Sequence, residues 1–163
     1  MQIIGVVGWK NCGKTTLATR LITALSERGL RVSSIKHAHH AVDVDQPGTD
    51  SYRHRQAGAG EVILASATRV ALMQELGDAA EPSLDELVAR LSPCDWVVVE
   101  GYKAGSHAKI EAYRSVCPHD PLYLNDPAVL AVASDHATEF GGQTFDLDDI
   151  EAMVGWLLTR NPR

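Results

Sequence analysis

The chain has 163 residues, 45% of them hydrophobic and 22% charged, with a net charge of −6 and a pI near 5.6. That length predicts one domain with a core large enough to stand without cross-links, and the acidic balance offers no basic face to a phosphate backbone, which argues against general nucleic-acid binding. No apolar run approaches the roughly 18–20 residues of a membrane span, and Met1 leads directly into a strand with no signal core, so a cytoplasmic protein is expected.

Gln2 to Val7 is a short run rich in Ile and Val and reads as the first strand. It enters Gly8-Trp9-Lys10-Asn11-Cys12-Gly13-Lys14-Thr15-Thr16, which fits the phosphate-loop pattern G-x-x-x-x-G-K-[ST] in full. Gly8 and Gly13 can take backbone angles closed to other residues, so several N–H groups converge on phosphate oxygens. The helix that follows turns its unpaired amides and positive dipole end to the same anion. Lys14 reaches the outer phosphates as a point charge, and the Thr15 hydroxyl is placed to ligate Mg²⁺. Gly8, Asn11, Cys12, Gly13, Lys14, Thr15 and Thr16 are therefore the candidate phosphate-binding set, with Lys14 also a candidate catalytic residue. Leu17, Leu21, Ile22 and Leu25 recur at helical spacing, which predicts a helix from about Lys14 to Arg28, stopped by Gly29. Val32 to Lys36 then reads as a second strand, and the resulting βαβ unit requires parallel pairing with a right-handed crossover.

Lys36 to Ser51 is the most polar stretch, with His37, His39, His40, Asp43, Asp45, Asp50 and a Pro47-Gly48 turn. A loop at the C-terminal end of a strand lies on the edge where open α/β sheets bind ligands, so it is expected to share the cleft of the phosphate loop. Asp43 is a candidate magnesium contact, and Asp45 a candidate for positioning water at the terminal phosphate. Turn and cap roles are the alternative for both, and Asp50 is read as a cap. Lys36, His37 and His39 are candidates for contact with an anionic ligand or partner, beside Arg53 and Arg55. Zinc or nickel binding is the alternative for the histidines. Thr49 or Asp50 caps a short helix that Gly58 and Gly60 end.

Glu61 to Ser66 and Arg69 to Gln74 predict an antiparallel hairpin on one edge of the sheet. Ser83 and Glu86 form a capping box for a helix whose apolar stripe is Leu84, Leu87, Val88 and Leu91. Asp95 to Gly101 has the continuous β-branched core of a central strand buried on both faces. Glu100 at its tip is the candidate second acid, a magnesium ligand and catalytic residue. Lys109 to Arg114 and Ala128 to Ala133 are further strands, with Pro118, Pro121 and Pro127 breaking the chain between them. Asp135, just past the second of these, is a candidate to pair with a guanine edge, a turn role being the alternative. Asp146 to Thr159 predicts a closing amphipathic helix with Ile150, Val154, Leu157 and Leu158 on its apolar face. The expected fold is a single α/β domain over 1–163 of the P-loop NTPase type, a three-layer sandwich with a mostly parallel sheet and an antiparallel edge hairpin. Cys12, Cys94 and Cys117 are odd in number and lack C-x-x-C pairing, so reduced thiols are expected.

Set out in this way, the chain resembles the MobB family, the molybdopterin-guanine dinucleotide biosynthesis protein B family. The resemblance rests on Gly8 to Thr16, on the His-Asp-Pro-Gly-Asp-Ser pattern between Lys36 and Ser51, on Ala57-Gly58-Ala59, on Val99-Glu100-Gly101-Tyr102-Lys103 and on Ala131-Val132-Ala133-Ser134-Asp135. It implies a homodimer that binds GTP with Mg²⁺ and has weak GTPase activity. It also implies partnership with the guanylyltransferase MobA, which joins GMP to molybdenum-bound molybdopterin, and with molybdopterin-processing proteins, molybdopterin or its guanine dinucleotide. By the same resemblance Gly13, Lys14 and Thr15 serve phosphate and magnesium, while Glu100 and Lys36 to Ser51 face the second ligand or partner. Many relatives have serine where this chain has Cys12, and a thiol is the weaker hydrogen-bond donor. A non-hydrolysing GTP-binding adaptor and a histidine-dependent metallochaperone GTPase are the alternatives. A small-metabolite kinase should need an arginine-rich lid, for which the sequence gives no clear signal.

Overall fold

The computed structural model describes residues 1–38 and 43–160. In chain order the elements are β1 (Gln2–Val7), α1 (Lys14–Glu27), β2 (Val32–Lys36), α2 (Asp50–Gln56), β3 (Glu61–Ala65), β4 (Val70–Gln74), α3 (Leu84–Ala89), β5 (Trp96–Glu100), β6 (Lys109–Tyr113), a 3₁₀ turn (Leu122–Leu124), β7 (Val129–Ser134), β8 (Gln143–Asp146) and α4 (Ile150–Arg160). They fall into two compact units, one of Met1–His37 with Leu84–Arg163 and one of Ala38–Ser83.

The first unit is built on a six-stranded sheet in the order β2-β5-β1-β6-β7-β8, with every neighbouring pair parallel. Parallel strands covered on both faces read as unbroken apolar runs. Accordingly Trp96 to Val99 of β5 are buried throughout. Leu17, Leu21 and Leu25 of α1 and Met153, Val154 and Leu157 of α4 share one core with Ile4, Val6, Val98, Ile110, Ala112, Ala131 and Ala133. A second, smaller cluster gathers Val7, Val129 and Val132 with Tyr113, Leu122, Tyr123 and Phe140. The α1 helix ends where Gly29 turns left-handed at φ 76°, as its sequence predicts.

In this unit three features depart from the sequence reading. The segment Gln143–Asp146 is an edge strand, paired only with β7, and its short polar run carries no strand signal beyond Phe145. The closing helix therefore starts at Ile150 rather than Asp146, with the Asp149 carboxylate accepting from Ala152 N at 3.0 Å. The thiols are not all reduced: Cys12 and Cys117, with Cα atoms 5.8 Å apart, form a disulfide, and Cys94 is free.

In the second unit α2 is capped by Thr49, whose hydroxyl accepts from Tyr52 N. The predicted hairpin forms, but not on an edge of the six-stranded sheet: β3 and β4 pair only with each other, as a two-stranded sheet of their own. Val62 is buried, whereas Ile63, Val70 and Leu72 are more than half exposed, at 67%, 68% and 53%. Because Ile63 pairs with Leu72 and Ala65 with Val70, these residues share one uncovered apolar face.

Candidate functional site

The phosphate loop leaves the buried strand β1 and needs unusual backbone angles at once. Gly8 sits at φ 144°, where an added Cβ would lie 2.5 Å from the Ala112 carbonyl oxygen, so no other residue fits. Gly13, at φ 95°, is the residue from which α1 starts. Lys14 folds back over the loop and donates to the Trp9 carbonyl at 2.8 Å. Burial lowers its pKa, and the charges of Lys103 and Lys36 lower it further against the opposing pull of Glu100.

At the tip of β5, the Glu100 carboxylate accepts from the Thr15 hydroxyl at 2.6 Å and from the Lys36 ammonium at 3.0 and 3.1 Å. The register explains this meeting: Lys36 pairs with Glu100 across β2 and β5, and Val6 of β1 pairs with Glu100 on the other side. Lys14, Thr15, Lys36 and Glu100 are thus brought together. Asn11, at φ 66°, and Cys12 lie in the loop, Cys12 with its side chain in the disulfide. Thr16 lines a different depression.

That depression, of about 300 Å³, is lined by Gly13, Thr16, Leu17, Arg20, Arg114, Asp135, Asp146, Leu147 and Asp148. Asp135 follows β7 and accepts from Ser115 N at 2.7 Å and Ser115 Oγ at 3.3 Å, with His136 Nδ1 at 2.9 Å and Arg114 Nε at 3.4 Å. The His136 bond first, then the Ser115 amide, holds its pKa down to about 2 from 3.8. A carboxyl whose folded value is depressed contributes stability that is present above its ordinary pKa and lost as the pH falls through the folded one. Asp135→Asn should therefore be less stable than the parent at about pH 5 and converge with it near pH 2. Denaturant unfolding across that range measures this, and a gap that stays constant with pH would contradict it.

Of the remaining candidates, Asp43 and Asp45 belong to the second unit and His37 to the first. Arg55 gathers Asp43 at 2.7 and 2.8 Å, Asp45 at 3.3 Å and Glu75 at 2.5 Å. Asp45 also accepts from Ser51 Oγ at 2.9 Å, Thr49 Oγ1 at 3.1 Å and Gln46 N at 3.1 Å. Burial works to raise the Asp45 pKa, and these hydrogen bonds outweigh it and lower the value. The Asp45 backbone amide, then Arg55, lowers that of Asp43. Both acids are tied into a fold-stabilising cluster whose hub, Arg55, the sequence reading had named only as a neighbouring cation. His37 stacks on Tyr102, ring centroids 4.4 Å apart. His39 and His40 lie outside the described residues. Among residues that sequence reasoning did not assign, Lys103 sets its ammonium 3.9 Å from the centroid of the Trp9 ring. Its one local signal is a cation closely following a strand-end Glu-Gly.

A parallel sheet whose first strand feeds a G-x-x-x-x-G-K-[ST] loop and a helix, with an acid at the tip of the adjoining strand, defines the P-loop NTPase fold. The chain belongs to the family described as Molybdopterin guanine dinucleotide synthesis protein B, MobB, whose model matches residues 3–135. It is 42% identical to the molybdopterin-guanine dinucleotide biosynthesis adapter protein of Escherichia coli K12, with 99% of this chain and 96% of that one covered. Identity to the adapter protein of Haemophilus influenzae is 38%, covering 96% and 88%. The crystal structure of Bacillus subtilis MobB superposes with a TM-score of 0.77 at 25% identity, covering 98% of each chain.

Proposed function

We propose that this protein is a GTP-binding adapter of molybdopterin guanine dinucleotide biosynthesis, with weak GTPase activity, that assists a MobA-type guanylyltransferase in the cytoplasm. The observation that carries the nucleotide half is the pairing of Thr15 Oγ1 with Glu100 Oε1 at 2.6 Å beside Lys14. A hydroxyl and a carboxylate are hard oxygen donors suited to Mg²⁺. Thr15 and Glu100 would hold that ion, which supplies charge neutralisation between the outer phosphates. Lys14 binds the phosphates directly, and Lys36 balances the Glu100 charge.

Asp135 supports a preference for guanine. Its ionised carboxylate borders the depression that adjoins Gly13 and Thr16. It can accept from the two adjacent N–H donors of a guanine edge, whereas adenine offers one donor beside an acceptor. Slow turnover accords with the engagement of Asp45, the expected water-positioning acid, by Arg55, Ser51 and Thr49. The adapter role is supported by the names of the Escherichia coli and Haemophilus influenzae relatives. The uncovered apolar face of the β3–β4 hairpin supports self-association as a homodimer.

Calorimetric titration of GTP and ATP, each with Mg²⁺, into the protein and into Lys14→Ala tests this reading. GTP should bind more tightly than ATP, and Lys14→Ala should weaken GTP by at least about tenfold, or 1.4 kcal/mol. Equal affinity for the two nucleotides, or an unimpaired Lys14→Ala, would overturn it.

A further inference from the structure

Beyond Glu100 the chain makes a turn that the phosphate site as described does not use. Gly101 and Tyr102 are both left-handed, at φ 98° and 50°. For tyrosine that conformation is strained and persists only where the surroundings enforce it. They do so here: Gly101 N donates to Val6 O at 3.1 Å, Gly105 N donates to Tyr102 O at 3.0 Å, and the Tyr102 ring stacks on His37. The buried Lys109 ammonium then grips the Lys103 carbonyl at 2.6 Å. This fixed turn sends the Lys103 side chain back to the phosphate loop, where its ammonium rests on the Trp9 ring.

Lys103 and Lys14 thereby meet at one residue of the loop, one on the Trp9 ring and the other on the Trp9 carbonyl. Each is partly buried, and burial lowers the pKa of each ammonium, with the Lys103 charge lowering that of Lys14 further. Among the described residues neither forms a salt bridge. Two like charges, partly desolvated, drawn together and without a counter-ion in contact are an arrangement that an anion relieves. A cation held only by an aromatic face is bound less strongly than one that makes a charge-assisted hydrogen bond to phosphate.

We infer that Lys103 is a further phosphate-binding cation of this site, held on the Trp9 ring until a nucleoside triphosphate arrives and then passing to the terminal phosphate. The inference rests on the nucleotide reading given above and deepens it by naming the residue that distinguishes a triphosphate from a diphosphate.

The test is titration of a non-hydrolysable GTP analogue and of GDP, both with Mg²⁺, into the full chain and into Lys103→Met, which keeps the side-chain stem on Trp9. The analogue should bind Lys103→Met about tenfold or more weakly, GDP less than about twofold, and Lys103→Arg should recover most of the difference. Trp9 emission gives a second readout in a Trp96→Phe/Trp156→Phe background. The analogue should change it with lysine in place and leave it unchanged in Lys103→Met. Equal losses for analogue and GDP would make Lys103 a structural support of the loop and overturn the inference, as would no loss at all. The guanine reading fails separately, if GTP and ATP bind the parent protein alike while the split between triphosphate and diphosphate persists. A parent protein that binds neither triphosphate overturns both.

Discussion

Opening the Cys12–Cys117 bridge is expected to destabilise this protein by about 4 kcal/mol. The two cysteines are 105 residues apart, so the bridge closes a long loop and removes much of the unfolded chain's freedom. In the folded protein it ties the phosphate loop to the segment after β6, where Cys117 N also donates to Arg114 O at 2.8 Å. Trp9 reinforces the same junction through its indole N–H on the Asp120 carbonyl at 2.8 Å. Thermal unfolding with and without reductant, for the protein and for Cys117→Ser, measures the effect. Reductant should lower the parent midpoint and leave that of Cys117→Ser unmoved. Thiol titration of the denatured, unreduced chain should find one free thiol, that of Cys94. Three free thiols, or a parent midpoint indifferent to reductant, would contradict the expectation.

Lys109→Met is expected to cost about 3–5 kcal/mol, because it strands a carboxylate rather than because it loses a lysine. Lys109 opens β6, its side chain 1% exposed, and donates to Asp126 Oδ2 and to the Lys103 carbonyl, both at 2.6 Å. Without it Asp126 keeps its charge in a partly buried place, and the Lys103 carbonyl loses its donor. Two residues along the strand, the buried Glu111 carboxylate accepts from Leu122 N at 2.8 Å and Tyr123 N at 3.0 Å, so the same strand pins the 3₁₀ turn next to Asp126. Burial raises the Glu111 pKa, and a second stranded carboxylate nearby adds to the cost. Urea unfolding should show a lower midpoint with an unchanged slope. Adding Asp126→Asn should return part of the loss, since the charge that lacked a partner is gone. A double variant no more stable than Lys109→Met would contradict this account.

What the sequence made legible was local. Gly8 to Thr16 announced its own geometry because each residue type in the motif answers one demand of a phosphate. Val97, Val98 and Val99 announced a buried strand because nothing polar interrupts them, and Glu100 stood out by ending that run. What stayed hidden depends on contacts between distant segments. No spacing rule pairs Cys12 with Cys117. Nothing near Asp43 or Asp45 says that Arg55 will take both carboxylates, although a turning loop and a helix of about two turns bring them together. Lys103 was concealed for another reason: a left-handed tyrosine is rare enough that no propensity scale points to a turn there. The β8 strand escaped notice because an edge strand with one neighbour needs only a few half-buried residues.

The position of β1 governs the order in which this molecule can assemble. Its partners are β5 and β6, through pairings such as Gln2 with Trp96 and Val7 with Glu111, so during synthesis this strand has no sheet neighbour until the chain has grown from Gln2 to Trp96. At about 5–20 residues per second that interval lasts on the order of 5–20 s. During it Ile4, Val6 and Val7 have no sheet to enter, and an early partner for this strand is its own helix α1. Contacts this remote in sequence fold slowly. The Gly8 to Thr16 motif, made early, can take its shape only once β5 and β6 have been made, and any chain interrupted before β6 would carry the motif in full without the structure that gives it meaning.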